Sequence, residues 1–285
     1  MSSPFRVAII VLVIAAAGAA FIRWRRQPQP APARPVAARP TAPAAAPAAA
    51  PPPRNAILHP VPRDGTPPGA LPVLEHSDAY LRNALDELLG RKATQTFLSL
   101  DDIARRLVAT LNNLATDNAA AEMWPVKRTA GPFLTDALPG GGNVISPRNS
   151  DRYAPFVRLV EGVNAQRAAA LYVRFYPVFQ RAYEELGFPD RYLNDRVVEV
   201  IDHLVATPTP ADPIKVKLIT AAPGAPNTAN PAGTAGLYVF EDPALETSSS
   251  GQKILLRMGR ENAGRLKAKL TEFRQRIATG SMPPR

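Results

Sequence analysis

Cysteine is missing from this chain of 285 residues, and other chemically active residues are scarce. The absence of cysteine excludes disulfides, cysteine-ligated zinc, iron–sulfur clusters and a thiol nucleophile. Histidine occurs three times and tryptophan twice. The common signatures of serine hydrolases, zinc proteases, phosphate-binding loops and dinucleotide-binding folds are also absent. The sequence therefore points to no familiar reaction, and we expect no cofactor and no metal.

Acidic residues are nearly absent from the first quarter of the chain. Residues 1–73 contain eight arginines and one acid, Asp64, and so carry +7 of the total net charge of +10. The remaining residues contain 26 basic and 23 acidic side chains, a net charge of +3. Surfaces that bind nucleic acid concentrate basic charge on the folded domain. Because the excess here lies outside the predicted domain, we expect no nucleic-acid partner.

The longest apolar run, residues 7–22, contains no charged residue. With Phe5 and Trp24 as interfacial rings, its length approaches the roughly 20 residues that cross a bilayer. A cleaved signal peptide is the alternative, because residues 15–20 are small enough for cleavage. The arginines that follow the run favour a membrane boundary, so we expect a retained transmembrane anchor over residues 1–26.

Two sequence features predict opposite orientations for this anchor. Arginines outnumber Arg6 on the C-terminal side of the run, which by the positive-inside rule would place the domain in the cytoplasm. The very short N-terminal tail and the long spacer favour the periplasm instead. We expect a single-pass protein of a bacterial inner membrane, with residues 5–24 in the lipid bilayer and a periplasmic domain.

Proline is concentrated in one segment, with fifteen residues between Pro28 and Pro72. Proline fixes φ and has no amide donor, so neither a helix nor a central strand can continue through such a segment. We expect residues 27–73 to form a disordered Pro/Ala-rich linker and residues 74–285 to form a helical soluble domain.

Apolar residues recur at helical spacing through most of the domain, which predicts a mainly α, compact multi-helix fold. The predicted helices begin near Ser77 or Asp78, Ser99 or Asp101, Asp151, Asn164 and Asp190, followed by two over 243–258 and 260–278. Pro177 should kink or split the fourth of them. One or two small β-hairpins are predicted, around Gly140–Gly142 and between residues 214–219 and 236–240.

The fifth predicted helix carries a row of polar residues. Asp195, Glu199 and His203 are spaced by four residues and share one helix face. We expect them to line a polar cleft with further residues of this helix and the next, which are Asn194, Asp202, Lys253 and Arg257. Such a row can hold a divalent metal or perform acid–base chemistry. The alternative is a polar face whose acids pair with nearby arginines.

Three tyrosines form a second candidate site. Tyr172, Tyr176 and Tyr183 lie beside the core stripe of the fourth helix, where stacked rings could line a groove for sugar or peptide. The alternative is that these rings complete the edge of the core and direct their hydroxyl groups toward water.

Four stretches carry recognisable motifs: Ser77-Asp78 with Leu88-Leu89-Gly90, residues 183–190, residues 192–204 and residues 251–259. Together they resemble an uncharacterised bacterial family, the domain of unknown function 3014. The resemblance covers most of residues 74–278. It implies an envelope-associated bacterial protein, commonly with an N-terminal anchor, and it brings no activity with it.

Two functions remain open at this point. The first is a non-enzymatic, membrane-tethered interaction or scaffold domain that binds a partner envelope protein or cell-wall material such as peptidoglycan. The second is an enzyme that acts on an envelope polymer through Asp195, Glu199 and His203.

Overall fold

The computed structural model describes residues 57–62, 71–117, 123–211, 213–220 and 236–278. The predicted anchor, residues 1–26, and most of the predicted linker lie outside these ranges. Among the described residues, every helix is too short or too polar to span a membrane.

Helices dominate the described chain, which confirms the mainly α prediction. In chain order they are α1 (Asp78–Leu89), α2 (Arg91–Phe97), α3 (Ile103–Leu114), α4 (Asn149–Glu161), α5 (Ala165–Glu185), α6 (Leu193–Val205), α7 (Pro243–Glu246), α8 (Ser250–Arg257) and α9 (Arg260–Ile277). α9 packs against α4, α5 and α6 and buries Leu266, Leu270 and Phe273 between them. The C-terminal helix therefore ties the central helices into one core.

One predicted helix is divided in two, and another continues through a proline. The helix predicted over 243–258 is divided into α7 and α8, because the side chain of Ser249 caps α8 in a reciprocal pair with Gln252. α5 is not split at Pro177. Buried neighbours on both sides, Phe175 and Val178, hold this helix against the core and compensate for the hydrogen bond that proline cannot donate.

The predicted hairpins belong to one antiparallel sheet. Its strands are β1 (Thr135–Ala137), β2 (Asn143–Ile145), β3 (Lys215–Thr220) and β4 (Gly236–Phe240), in the order β1-β2-β3-β4. β2 pairs with β3 at Asn143–Val216 and Val144–Lys215, and this pairing joins the two hairpins. A small apolar cluster of Val216, Phe240 and Leu256 packs the sheet on α8.

A short segment of the predicted linker lies on the helical domain. Residues 57–62, which we call the terminal strap, contact the beginning of α6. The range 27–73 therefore includes a segment with defined contacts to the domain.

Candidate functional site

The first turn of α6 holds the main chain of the terminal strap. The carboxylate of Asp195 accepts two successive N–H groups, that of His59 at 2.7 Å and that of Leu58 at 3.1 Å. The side-chain amide of Asn194 donates to the carbonyl oxygen of His59 at 2.8 Å. Adjacent side chains of one helix therefore bind both the N–H and the C=O group of a single strap residue.

A fourth hydrogen bond lies two residues further along the strap. The N–H of Val61 donates to the Tyr192 hydroxyl at 3.0 Å. Pro60 and Pro62, which have no N–H to donate, stand on either side of Val61. We call Tyr192, Asn194 and Asp195 the backbone clamp. Strap positions 58, 59 and 61 supply the amide hydrogens that the clamp binds.

Asn194 is fixed from within the domain. Its side chain is fully buried, and its amide also donates to the carbonyl oxygen of Ile277 at 2.9 Å. Its Oδ1 accepts the hydroxyl of Tyr172 at 3.0 Å. Only one orientation of the amide satisfies these three bonds, because Nδ2 donates twice and Oδ1 accepts once. Residues of α5 and the end of α9 thus orient the clamp.

The structure places the three predicted tyrosines below the surface. Tyr172 and Tyr183 are buried and Tyr176 is half-buried, so they do not form the predicted aromatic surface. Tyr176 lies between Tyr172 and Tyr192, with ring centroids 5.7 and 5.3 Å away. Tyr183 stacks on Phe188 at 4.7 Å instead. Core packing favours aromatic rings at these positions because the burial of aromatic surface stabilises the fold. Tyr172 and Tyr176 also support the clamp.

The tyrosine hydroxyls beneath the clamp remain protonated. Burial is the main cause that raises the pKa of both Tyr172 and Tyr176 above the ordinary value for tyrosine. Tyr176 donates to Oε1 of Gln180 at 2.9 Å and accepts the N–H of Asn194 at 3.3 Å. The hydrogen bonds that orient Asn194 are therefore insensitive to pH in the physiological range.

We expect Asp195→Asn to release the terminal strap. A hydrogen bond to a charged group contributes about 1.5–3 kcal/mol, and the neutral amide keeps at most one weaker acceptor for two N–H groups. Hydrogen exchange of the Leu58 and His59 amides in the full-length protein should accelerate about tenfold or more. The control is Glu199→Gln on the same helix, which should leave the exchange unchanged. Equal protection in both variants would contradict the clamp.

The predicted polar cleft is divided along α6. Asp202 binds Arg274 of α9 with both carboxylate oxygens, at 2.8 Å between Oδ2 and Nη2. Glu199 is two-thirds exposed and pairs with Arg196 at 2.9 Å. Asp195 and Asp202 are separated by seven residues, about 10 Å along a helix axis, which is too far for one cation to join them. The acids therefore have separate partners.

His203 contacts the beginning of α8. Its Nε2 lies 2.8 Å from Oγ of Ser249, the N-cap of α8. Gln252 donates to the carbonyl oxygen of His203 at 3.3 Å. Burial is the main cause that lowers the pKa of His203, Arg196 lowers it further, and Glu199 raises it.

We expect His203 to make stability depend on pH. Its pKa is lower in the folded protein than the ordinary value of 6.5, so the unfolded chain binds more protons between the two values. Stability is fully present above about pH 6.5 and falls as the pH decreases toward the folded pKa. Denaturant unfolding measures the free energy of unfolding at about pH 7.5 and at about pH 5.5. The difference between these two free energies should be smaller for His203→Gln than for the wild type. An identical difference would assign the pH dependence to other groups.

Lys253 and Arg257 lie under the sheet. Lys253 is buried and pairs with Glu246 at 2.8 Å. Arg257 is also buried; it donates to the carbonyl oxygen of Tyr238 at 3.1 Å and lies over the ring of Phe240. Desolvation is the main cause that lowers the pKa of Arg257. Arg257 therefore joins α8 to β4 and Lys253 joins α8 to α7, whereas the acids of α6 bind elsewhere.

No metal-ligand set appears within the described ranges, where no three His, Cys, Asp or Glu side chains are grouped closely enough to hold an ion. The grouping that the geometry does provide is the clamp, which combines one carboxylate, one amide and one phenol. An extended peptide backbone offers alternating N–H and C=O groups, and the clamp supplies acceptors for the first and a donor for the second.

A family model described as "Protein of unknown function (DUF3014)" matches residues 103–274, more than half of the chain. The chain belongs to this family. No match was found among curated proteins or among solved structures. The clamp lies inside the part of the DUF3014 domain that matches, whereas the terminal strap, α1 and α2 precede it.

Sequence reasoning missed the partners that define the site. Tyr192 and Arg274 were not among the predicted site residues, and neither was any residue of the strap. A signal for the strap did exist, since Ile57, Leu58 and Val61 interrupt the Pro/Ala pattern. No local signal could have joined the strap to Asp195, because 136 residues separate His59 from Asp195.

Proposed function

We propose that this DUF3014 domain is a non-enzymatic interaction domain, tethered to a bacterial inner membrane, that binds an extended peptide segment at the backbone clamp. The observation that carries the proposal is the hydrogen bonding of the clamp to the terminal strap. Asp195 and Asn194 bind successive main-chain groups of the strap, as a strand of a sheet would. An envelope protein, or the peptide part of cell-wall material, offers the same groups.

The chemistry of the clamp supports binding rather than turnover. Asn194 is oriented by Tyr172 and the carbonyl oxygen of Ile277, both within the domain, so it is rigid before a ligand arrives. The carboxylate of Asp195 accepts the N–H groups of Leu58 and His59. Such a site holds a main chain in a fixed direction and leaves its bonds intact.

The tether is supported by the sequence. The uncharged run of residues 7–22 and the long Pro/Ala segment would keep the domain attached to the membrane but away from its surface. Reporter fusions at the C-terminus test the periplasmic side. Activity of a reporter that works only in the cytoplasm would reverse that assignment.

An enzyme acting on an envelope polymer is the second candidate, and the Ser249–His203 contact favours it. A hydroxyl 2.8 Å from an imidazole is the geometry of an activated nucleophile. The same hydroxyl also accepts the N–H of Gln252 as the N-cap of α8. Capping accounts for its position, and Asp195 lies eight residues from His203, about 12 Å along the helix.

Retention of partners by full-length variants in native membranes tests the proposed function. The wild type and Glu199→Gln should retain the same partner after solubilisation, and Asp195→Asn should lose it. Denaturant unfolding must first show that both variants remain folded. A partner retained equally by Asp195→Asn, or no partner with any form, would overturn the proposal. Turnover of cell-wall polymer by wild type but not by Ser249→Ala would establish the enzyme instead.

A further inference from the structure

The clamp is built independently of the strap that occupies it. Asn194 is oriented by Tyr172 and the carbonyl of Ile277, both inside the domain. Leu193, the first residue of α6, donates its N–H to Gln180 at 2.8 Å, which fixes the start of the helix against α5. Removing the strap would therefore leave the acceptor and donor groups of the clamp in place.

The first two residues of the strap contribute little apolar burial to its attachment. The exposed fractions of Ile57 and Leu58 are 53% and 68%. Four hydrogen bonds to the clamp use main-chain atoms of the strap, at positions 58, 59 and 61. Main-chain recognition is shared by any extended segment that lacks proline at those three positions.

We propose that the terminal strap is an intramolecular competitor for the clamp, displaced by an extended segment of a partner protein. The inference rests on the proposed function and names the ligand of the same site. The partner segment needs N–H groups at the positions equivalent to 58, 59 and 61, and it accepts proline at the positions equivalent to 60 and 62. The strap then sets the minimum affinity with which a partner segment must bind in order to occupy the clamp.

The positions of the two elements in the chain agree with this division. The clamp belongs to the part of the chain that matches the DUF3014 family, residues 103–274, and the strap belongs to the preceding segment. The clamp is thus the binding site within the domain, and the strap is a competitor attached to it through the same chain. Its effective concentration is high because both are in one chain.

Binding of a labelled peptide to full-length protein in detergent tests the inference. The probe is the strap sequence from Asn55 to Asp64. In the protein, His59→Pro removes the N–H that donates to Asp195 at 2.7 Å and should vacate the clamp. The probe should bind this variant about tenfold more tightly than the wild type, because the clamp of the wild type is occupied for most of the time. Val61→Pro in the protein should act in the same direction.

Matched peptides and a double variant define the site. A probe carrying His59→Pro should not bind, whereas a probe carrying Pro60→Ala should bind normally because position 60 donates no hydrogen bond. Asp195→Asn added to His59→Pro should abolish binding. Equal affinity of the probe for wild type and His59→Pro would overturn the competitor role and leave the clamp as a peptide site. Absence of binding to His59→Pro and Val61→Pro alike would overturn both the competitor and the proposed peptide recognition.

Discussion

Gly251→Ala should destabilise the domain by about 2 kcal/mol, because α8 approaches α3 and α6 at this residue too closely for a side chain. A Cβ at position 251 would lie 2.9 Å from the carbonyl oxygen of Leu114 and 3.3 Å from its Cβ, and closer still to Cδ2 of Leu204. Both leucines are in the core, and a backbone oxygen cannot rotate away. The gain in helix propensity of alanine, about 1 kcal/mol, only partly offsets this overlap.

Gly264→Ala is the matched control for this prediction. Gly264 is exposed in the middle of α9, and no atom lies within 4 Å of a Cβ built there. The same substitution should therefore stabilise the protein by about 0.5–1 kcal/mol. Denaturant unfolding of both variants measures the two free energies. A pair of changes with the same sign would show that close packing at Gly251 is not the cause.

Asp202→Asn should cost about 3 kcal/mol, since it leaves the guanidinium of Arg274 buried without a countercharge. The side chain of Arg274 is 4% exposed, and that of Asp202 is 23% exposed. Burial of a charge without its partner is unfavourable because the desolvation penalty is no longer offset. The volume of the side chain is unchanged, so the loss measures charge and hydrogen bonding rather than packing.

Glu199→Gln, almost one turn earlier on α6, provides the comparison. In its ion pair with Arg196 the carboxylate of Glu199 is exposed to solvent, and pairs with a solvated partner contribute at most about 1 kcal/mol. Thermal or denaturant unfolding should separate the two variants by about 2 kcal/mol or more. Similar losses would mean that Asp202 and Arg274 are hydrated in solution.

The helical core could be predicted because its signal is local. The stripe of Val197, Val200, Ile201 and Leu204 on α6 is buried throughout, as the 3.6-residue period indicates. The β1–β2 hairpin was also predictable, since glycines 140–142 adopt the positive φ values that a tight connection requires. Both features depend on residues within a few positions of one another.

The pairing of distant elements could not be predicted in the same way. β2 pairs with β3 although α4, α5 and α6 lie between them in the chain, so two local hairpins gave no sign of one sheet. The polar row on α6 was visible, but its partners are set by the packing of α9 and by the strap. Arg274 is 72 residues from Asp202, and nothing in its own surroundings distinguishes it from the other arginines of α9.

With the membrane tether proposed above, the terminal strap would also limit how far the domain reaches from the membrane. With the strap in the clamp, the proposed tether would consist of residues 27–56, and residues 57–73 would add no length. At about 3.1 Å per extended residue, thirty residues would span about 90 Å, whereas forty-seven residues would span about 145 Å. Opening a few hydrogen bonds at Asn194 and Asp195 would thus lengthen the reach by about half. The backbone clamp would then control the length of the proposed tether, and a partner segment that displaces the strap would also let the domain search a larger volume.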